Sequence, residues 1–334
     1  MKSLFFLFLL FAFNIQLYAQ DTFSIIAVDP DTGEIGSAGA SCVTGVGASG
    51  IIDIITKIIP GRGGVNSQAW VCIPNVNLNN AINQMEGGAS PSEIIDWLLN
   101  NDACSSQNFN PEFRQYGIVD FDIDGNPRVA GFTGSQADDY KEDRQGATFS
   151  VQGNILLNQT VIDNMENNFN STEGTLADKL MAAMQGANLP GADSRCLSAG
   201  TSSTTAYLLV YRPDDDPSDP YLRLNVGQQA PGIEPIDILQ DLYDSFLSNT
   251  DFSLASQIQI FPNPATHFIN IIPASGIVID KLTVYDMQGK SMNYELSESS
   301  SSKLVLYTES FTTGIYFLSI ETAQGNAIFK FLKK

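Results

Sequence analysis

The stretch Thr22-Phe23-Ser24-Ile25-Ile26-Ala27-Val28-Asp29-Pro30-Asp31-Thr32-Gly33-Glu34-Ile35-Gly36 decides the fold. Thr22–Val28 is an apolar run of strand length, Asp29–Gly33 is built from turn formers, and Glu34–Cys42 resumes a strand pattern. Proline pre-sets φ for a turn, and glycine accepts a left-handed corner without a Cβ clash. The segment predicts an antiparallel hairpin with Thr22 at the head of its first strand.

Ahead of it, Lys2 precedes the apolar stretch Leu4–Ala12, and Ile15–Gln20 ends in Leu17-Tyr18-Ala19-Gln20. That order reads as a secretory signal over residues 1–19, cleaved after Ala19. Its apolar core falls short of the roughly 20 residues that span a bilayer. The other apolar stretch, Ile51–Pro60, is interrupted by Asp53 and Lys57. The expectation is an exported, soluble chain with no stable transmembrane anchor.

With 37 acidic and 17 basic residues, the formal net charge is −20. Such a balance disfavours nucleic acid and anionic lipid surfaces as partners. The densest acidic run, Asp214-Asp215-Asp216-Pro217-Ser218-Asp219, lacks the alternation and terminal glutamate of an EF-hand loop. It reads as a solvated turn or an opportunistic calcium site. Cys42, Cys72, Cys104 and Cys196 match neither a zinc ribbon nor a redox Cys-x-x-Cys motif. In an exported chain they are expected to pair, and Cys42–Cys72 with Cys104–Cys196 is the favoured one of three complete pairings. The single histidine, His267, lies far from the opening hairpin in sequence, so no Ser-His-Asp or Cys-His triad is expected, and no metal or cofactor.

Downstream of the hairpin, Val65–Val71 reads as a strand, and Asn79–Gly87 and Ser90–Asn100 as helices. The second helix opens with Ser90, Pro91 and Glu93 and carries the stripe Ile94, Ile95, Leu98, Leu99. Gln115–Val119 and Arg128–Thr133 suggest another hairpin, and Phe149–Leu156 a strand; Val161–Phe169 and Leu176–Ala187 carry helix patterns. Thr204–Tyr211 and Leu222–Val226 return to strands before a helix at Pro235–Leu247. Segregated strands and helices without steady βαβ alternation favour an α+β layered fold. Residues 20–247 are therefore expected to form the first domain, 248–257 a polar linker and 258–334 a second domain. In the last, Phe268–Ile272, Lys281–Tyr285, Lys303–Tyr307, Ile315–Glu321 and Ala327–Leu332 are short strands divided by turn-rich corners, as in a small antiparallel β-sandwich.

That C-terminal segment resembles the sorting domain of proteins exported by the type IX pathway of Bacteroidota. The residues are Ile260-Phe261-Pro262-Asn263-Pro264-Ala265, Val284-Tyr285-Asp286-Met287-Gln288-Gly289-Lys290, Gly314-Ile315-Tyr316-Phe317 and the basic end Lys330-Phe331-Leu332-Lys333-Lys334. The resemblance implies the type IX secretion machinery as a partner, and a secreted or cell-surface destination. An adhesion or carbohydrate-binding sandwich is the other reading.

The first domain resembles the domain of unknown function 1028 family, which looks like a member of the N-terminal nucleophile hydrolase superfamily. Besides the opening hairpin, Ser67-Gln68-Ala69-Trp70, Arg114–Asp120, Phe132-Thr133-Gly134, Ser150-Val151-Gln152-Gly153-Asn154, Gly191–Arg195 and Asp219–Val226 carry the match. It implies a four-layer αββα sandwich with Thr22 as catalytic nucleophile. A free α-amine takes the proton of the adjacent hydroxyl, and backbone N–H groups hold the oxyanion. The implied substrate is an amide or peptide-like bond. Cleavage after Ala19 leaves Gln20-Asp21 ahead of Thr22, so this chemistry requires a further cut after Asp21; Ser24 faces the same side and is equally internal.

Arg62 in a glycine-rich loop, Gln68, Gln152, Asn154, and the pair Asp193 and Arg195 are the candidate substrate-binding residues. Each has a plainer alternative. Gln68, Gln152 and Asn154 suit strand-end hydrogen bonds, Asp193–Arg195 suits a loop-anchoring ion pair, and Trp70 suits either the core or a ligand platform. The chain reads as a secreted hydrolase-like protein or as a non-catalytic extracellular binding module on the same scaffold, with a passive structural component as a third reading. Its oligomeric state is not legible.

Overall fold

The computed structural model describes residues 22–274, 276–300, 303–323 and 325–334; the expected leader, Gln20 and Asp21 lie outside the described residues. The boundary between two compact units falls after Asp241.

In the first unit the opening hairpin forms as the turn signals demand, with β1 (Phe23–Val28) antiparallel to β2 (Ile35–Ser41). Gly33 closes the corner at φ 74°, and Asp29 receives the amide of Gly33 on its carbonyl. The helix α1 (Ile52–Ile55) leads directly into β3 (Thr56–Ile59) and β4 (Gly63–Gln68). The expected strand ends early because Ala69 and Trp70 adopt φ of 60° and 50°, a region that side chains with a Cβ rarely enter.

Next come α2 (Val76–Glu86), α3 (Pro91–Asn100), β5 (Gln115–Phe121) and β6 (Pro127–Thr133). Ser90 and Glu93 close the capping box at the start of α3. Then follow β7 (Glu142–Gln145), β8 (Phe149–Gly153), α4 (Thr160–Ser171), α5 (Leu176–Gly186), β9 (Thr205–Tyr211) and β10 (Leu222–Val226).

The strands form a six-stranded sheet, β10-β9-β2-β1-β8-β7, and a four-stranded sheet, β3-β4-β5-β6, with antiparallel pairing throughout. The helices α4 and α5 pack on the wider sheet and α2 and α3 on the narrower, while β1 meets β4 and β5. A Cβ on Gly36 would strike Leu180 of α5, and one on Gly64 would strike Ile26 from the facing sheet. The chain is thus a mixed α/β protein built on antiparallel sheets.

The helix α6 (Pro235–Ser256) passes Leu247, where the composition suggested an end, so the expected linker at 248–257 is helical through Ser256. Polar, small residues suppress helix propensity only mildly, so a helix already formed ahead of them can propagate through.

The second unit holds β11 (Ile258–Phe261), β12 (Phe268–Pro273), β13 (Ile279–Asp286), β14 (Ser291–Met292), β15 (Glu295–Ser300), β16 (Lys303–Tyr307), β17 (Gly314–Thr322) and β18 (Gly325–Lys333). They make two four-stranded sheets, β11-β12-β16-β15 and β14-β13-β17-β18. Ile269, Ile271 and Leu306 of one share a buried core with Val284, Leu318, Ile320 and Phe331 of the other.

The disulfides correct the expected pairing. Cys42 joins Cys196, and Cys72 joins Cys104. Cys42 leaves β2 beside the segment that enters β9, and Cys72 leaves β4 beside the segment that enters β5. Each bridge therefore links chain segments feeding neighbouring strands of one sheet, which closeness in sequence does not reveal.

Candidate functional site

Alternation along β1 sends Thr22, Ser24, Ile26 and Val28 toward the facing sheet. The inner pair is apolar, and Ile26, Val28 and Ile35 pack on Val119 and Phe121. The outer pair is polar, and the strands opposite supply amides where a sandwich core ordinarily carries hydrocarbon.

Thr22 is fully buried, and its backbone is clamped from both sides. Its N–H donates to Asn154 Oδ1 at 3.2 Å, while its carbonyl accepts from the Asn154 N–H at 3.2 Å and from Gln68 Nε2 at 2.8 Å. Ser24 Oγ donates to Gln68 Oε1 at 2.7 Å and accepts from Asn66 Nδ2 at 3.0 Å and Gln152 Nε2 at 2.6 Å. Gln68 Nε2 also donates to Gln115 Oε1 at 2.7 Å. Gln115 Nε2 in turn reaches Thr133 Oγ1, the Glu142 carbonyl and the Gly153 carbonyl. A Cβ at position 117 would lie 2.1 Å from Gln152 Oε1, so any side chain there displaces the Gln152 amide from this network.

The network continues inward. Ser37 Oγ donates to Asn66 Oδ1 at 2.9 Å and lies 2.8 Å from the Tyr207 hydroxyl. Burial pushes the Tyr207 phenol well above its ordinary pKa, so it stays protonated. A buried polar network with its partners in place holds one geometry, because every alternative leaves a desolvated group unpaired.

Longer loops surround this end of the sheets. Arg114, 1% exposed, pairs with Asp102 at 2.8 Å and spends its other donors on Ser106 Oγ and on the carbonyls of Trp70, Cys104 and Ser106. It thereby fixes the loop that Cys72–Cys104 closes. Trp70 donates its indole N–H to Asp138 Oδ2 at 2.7 Å and meets Phe113 edge to face.

Asp193 is buried and takes a two-pronged bond from Arg195, Nε at 2.9 Å and Nη2 at 2.6 Å, together with the Cys42 amide at 2.8 Å. Arg195 Nη2 also lies 3.4 Å from Ser41 Oγ, and continuation of the β1–β2 register sets Ser41 opposite Thr22.

The candidate residues thus divide. Thr22, Gln68, Gln152 and Asn154 meet in one network, and Asp193 with Arg195 stands at the same end of the sheets. Arg62 does not join them. It sits at the other end of β4, about 20 Å away at the rise of an extended strand, paired to Asp120 at 3.2 Å. Sequence reasoning passed over Asn66, Gln115, Ser37 and Tyr207, and set Ser24 aside. The available signal was a polar residue at every second position of an otherwise apolar strand, as in Ser150 and Gln152, and the polar strand end Asn66-Ser67-Gln68.

Among the described residues no group of three His, Cys, Asp or Glu side chains is placed to hold a metal ion, and no helix is long and apolar enough to cross a membrane. In the acidic run, Asp215 accepts the amides of Arg212 and Tyr221, and Asp216 those of Ser218 and Asp219 on its side chain and carbonyl respectively.

These features define a class: a mixed α/β protein whose facing antiparallel sheets enclose amides at their loop end, followed by a β unit. Residues 22–236 match a family of unknown function, DUF1028, and residues 259–334 match a secretion system C-terminal sorting domain. The chain belongs to the DUF1028 family. The sorting domain directs it through type IX secretion to the cell surface or the extracellular space. The structure is similar to the crystal structure of protein SPO2555 from Silicibacter pomeroyi, of the same family, with a TM-score of 0.52 and 25% identity, covering 67% of this chain and 88% of that one. No curated protein matches the chain.

Proposed function

We propose that the first unit is an αββα N-terminal nucleophile hydrolase that cleaves an amide or peptide-like bond outside the cell, with Thr22 as its nucleophile. The observation that carries the reading is the clamp on Thr22, whose N–H and carbonyl are both fixed by Asn154 and Gln68 at the head of a central strand. The placement of α4 and α5 on one sheet and α2 and α3 on the other supports the layering.

Removal of the leader and of Gln20-Asp21 converts the Thr22 amide into an α-amine with a pKa near 8. That amine takes the proton from Thr22 Oγ as the oxygen attacks the substrate carbonyl carbon. The proton then passes to the departing amine, and water hydrolyses the resulting ester to regenerate the threonine. Asn154 Oδ1 is placed to orient the amine, and Gln68 to keep the strand end from shifting.

The amides around Ser24 satisfy one another and supply no general base. The same observation supports the second reading, a non-catalytic module that binds an amide or peptide-like ligand. The two separate on an acylating β-lactone. A mass gain on the peptide headed by Thr22, kept in Thr22→Ser and lost in Thr22→Ala, is expected of the hydrolase, with turnover of its amide substrate falling by about a thousandfold or more in Thr22→Ala. Labelling that is unchanged in Thr22→Ala assigns the reactivity elsewhere and removes the mechanism.

A further inference from the structure

The wider sheet overhangs the narrower one. β3 is the free edge of the four-stranded sheet, and β9 with β10 forms the flank of the six-stranded one. The short helix α1 covers part of the overhang, with Ile52 and Ile55 packed on Tyr207, Leu209 and Tyr211. What α1 leaves uncovered is a cavity of 360 Å³ between β3, the C-terminal part of α2 and the β9–β10 flank. The acidic loop closes over it, since Pro217 lines the cavity and its carbonyl accepts the Tyr211 hydroxyl at 2.8 Å.

The lining has two kinds of surface. Ile58, Ile82, Leu209 and Tyr211 give an apolar floor. Lys57, Arg223, Asp53 and Glu86 bring two positive and two negative charges. Arg223 is held by Asp53, with Nη2 at 3.0 and 2.9 Å from the two carboxylate oxygens. Among the described residues its Nε and Nη1 meet no acceptor. Lys57 Nζ donates to Asn79 Oδ1, which leaves two of its donors over, and Glu86 accepts no hydrogen bond among the described residues. At the inner wall Thr56 is 3% exposed, and its hydroxyl lies beside the Tyr207 phenol without a hydrogen bond of proper geometry.

We propose that this cleft is a binding site for a small zwitterion with an apolar side chain, an α-amino acid or a dipeptide. Its carboxylate pairs with Arg223 and Lys57, its ammonium with Glu86, and its side chain lies on Ile58, Ile82 and Leu209. The volume sits at the lower end of the roughly 300–1,000 Å³ typical of small-molecule sites, which excludes a folded partner. Balanced charge around an apolar floor favours ligands carrying both signs, because a ligand of one sign leaves the opposite charge of the cleft without a partner. The site stands apart from Thr22 and does not depend on its chemistry.

Calorimetric titration of the intact secreted chain with leucine, N-acetyl-leucine and leucinamide tests the assignment. Leucine binds most tightly, and each capped form is weaker by about tenfold, the worth of one charge-assisted pair. Arg223→Ala weakens leucine and N-acetyl-leucine by about tenfold and leaves leucinamide unchanged. Glu86→Gln weakens leucine and leucinamide and spares N-acetyl-leucine. Both positions are solvent-facing, so the variants keep the fold. Absence of saturable heat with leucine, equal affinity for all three compounds, or leucine binding that neither variant alters overturns the proposal.

Discussion

The two ends of the space between the facing sheets are built on opposite plans. At one end the strands are joined by tight corners, the Asp29–Gly33 turn and the Ile59–Gly63 turn, and the interior is hydrocarbon from Ile26, Val28, Val119 and Phe121. At the other end the strands run into long loops, both disulfides are found there, and the interior is a web of amides around Ser24 and Thr22. Apolar packing is non-directional and tolerates small shifts, whereas the amide web has one satisfied arrangement. The first end supplies cohesion and the second fixes positions, which is what a reacting or binding centre requires.

The disulfides sharpen this contrast most. Cys42–Cys196 spans 154 residues and Cys72–Cys104 spans 32. Loop-closure entropy then predicts that replacing the first pair by serine lowers stability by about 5 kcal/mol and the second by about 4 kcal/mol. Urea unfolding of the two double variants checks the order, and a larger loss for the shorter loop means that loop closure is not what the bridges contribute at the polar end.

Next in size is the pair Gln68→Leu and Ile26→Val. Gln68→Leu takes the acceptor from the Ser24 hydroxyl, the donor from Gln115 Oε1 and one of two donors from the Thr22 carbonyl, and is expected to lower stability by about 3 kcal/mol. Ile26→Val removes one methylene from the apolar end, for about 1 kcal/mol. Equal losses in denaturant midpoint would mean that the amides relax as freely as the hydrocarbon.

The smallest effect concerns Glu34 at the tight-turn end. Burial raises its pKa above the ordinary 4.5, with Arg212 opposing the rise. The fold therefore favours the neutral acid, and stability is highest below the unfolded value and declines as pH climbs through the folded one. Glu34→Gln removes that slope, so its stability relative to the parent protein improves from about pH 4 to about pH 7. A difference that stays constant, or falls, across this range contradicts the burial argument.

Much of the scaffold is written locally. Asp29–Gly33 announces the hairpin, and Ser90 with Glu93 announces α3, because turn and cap chemistry act over a few residues. The edge strand Glu142–Gln145 escaped notice since its four residues are polar, and β3 was hidden by the short helix running straight into it. The cysteine pairing was misread because it follows sheet order rather than chain order. Of the site, Thr22, Gln68, Gln152 and Asn154 were legible as polar residues near strand ends. The convergence of Gln68 and Gln152 on Ser24 was not, since it depends on the register between two sheets. Arg62, a cation in a glycine-rich loop, lies at the tight-turn end, because strand direction carries it away from Thr22.

Amine-driven hydrolysis requires Thr22 to become a chain terminus. Mass-spectrometric mapping of the N-terminal peptide of the protein recovered from the medium of secreting cells decides this. A peptide beginning at Thr22 with an unmodified amine is the predicted result. A peptide beginning at Gln20, free or cyclised to pyroglutamate, contradicts it and leaves the polar end as a binding scaffold.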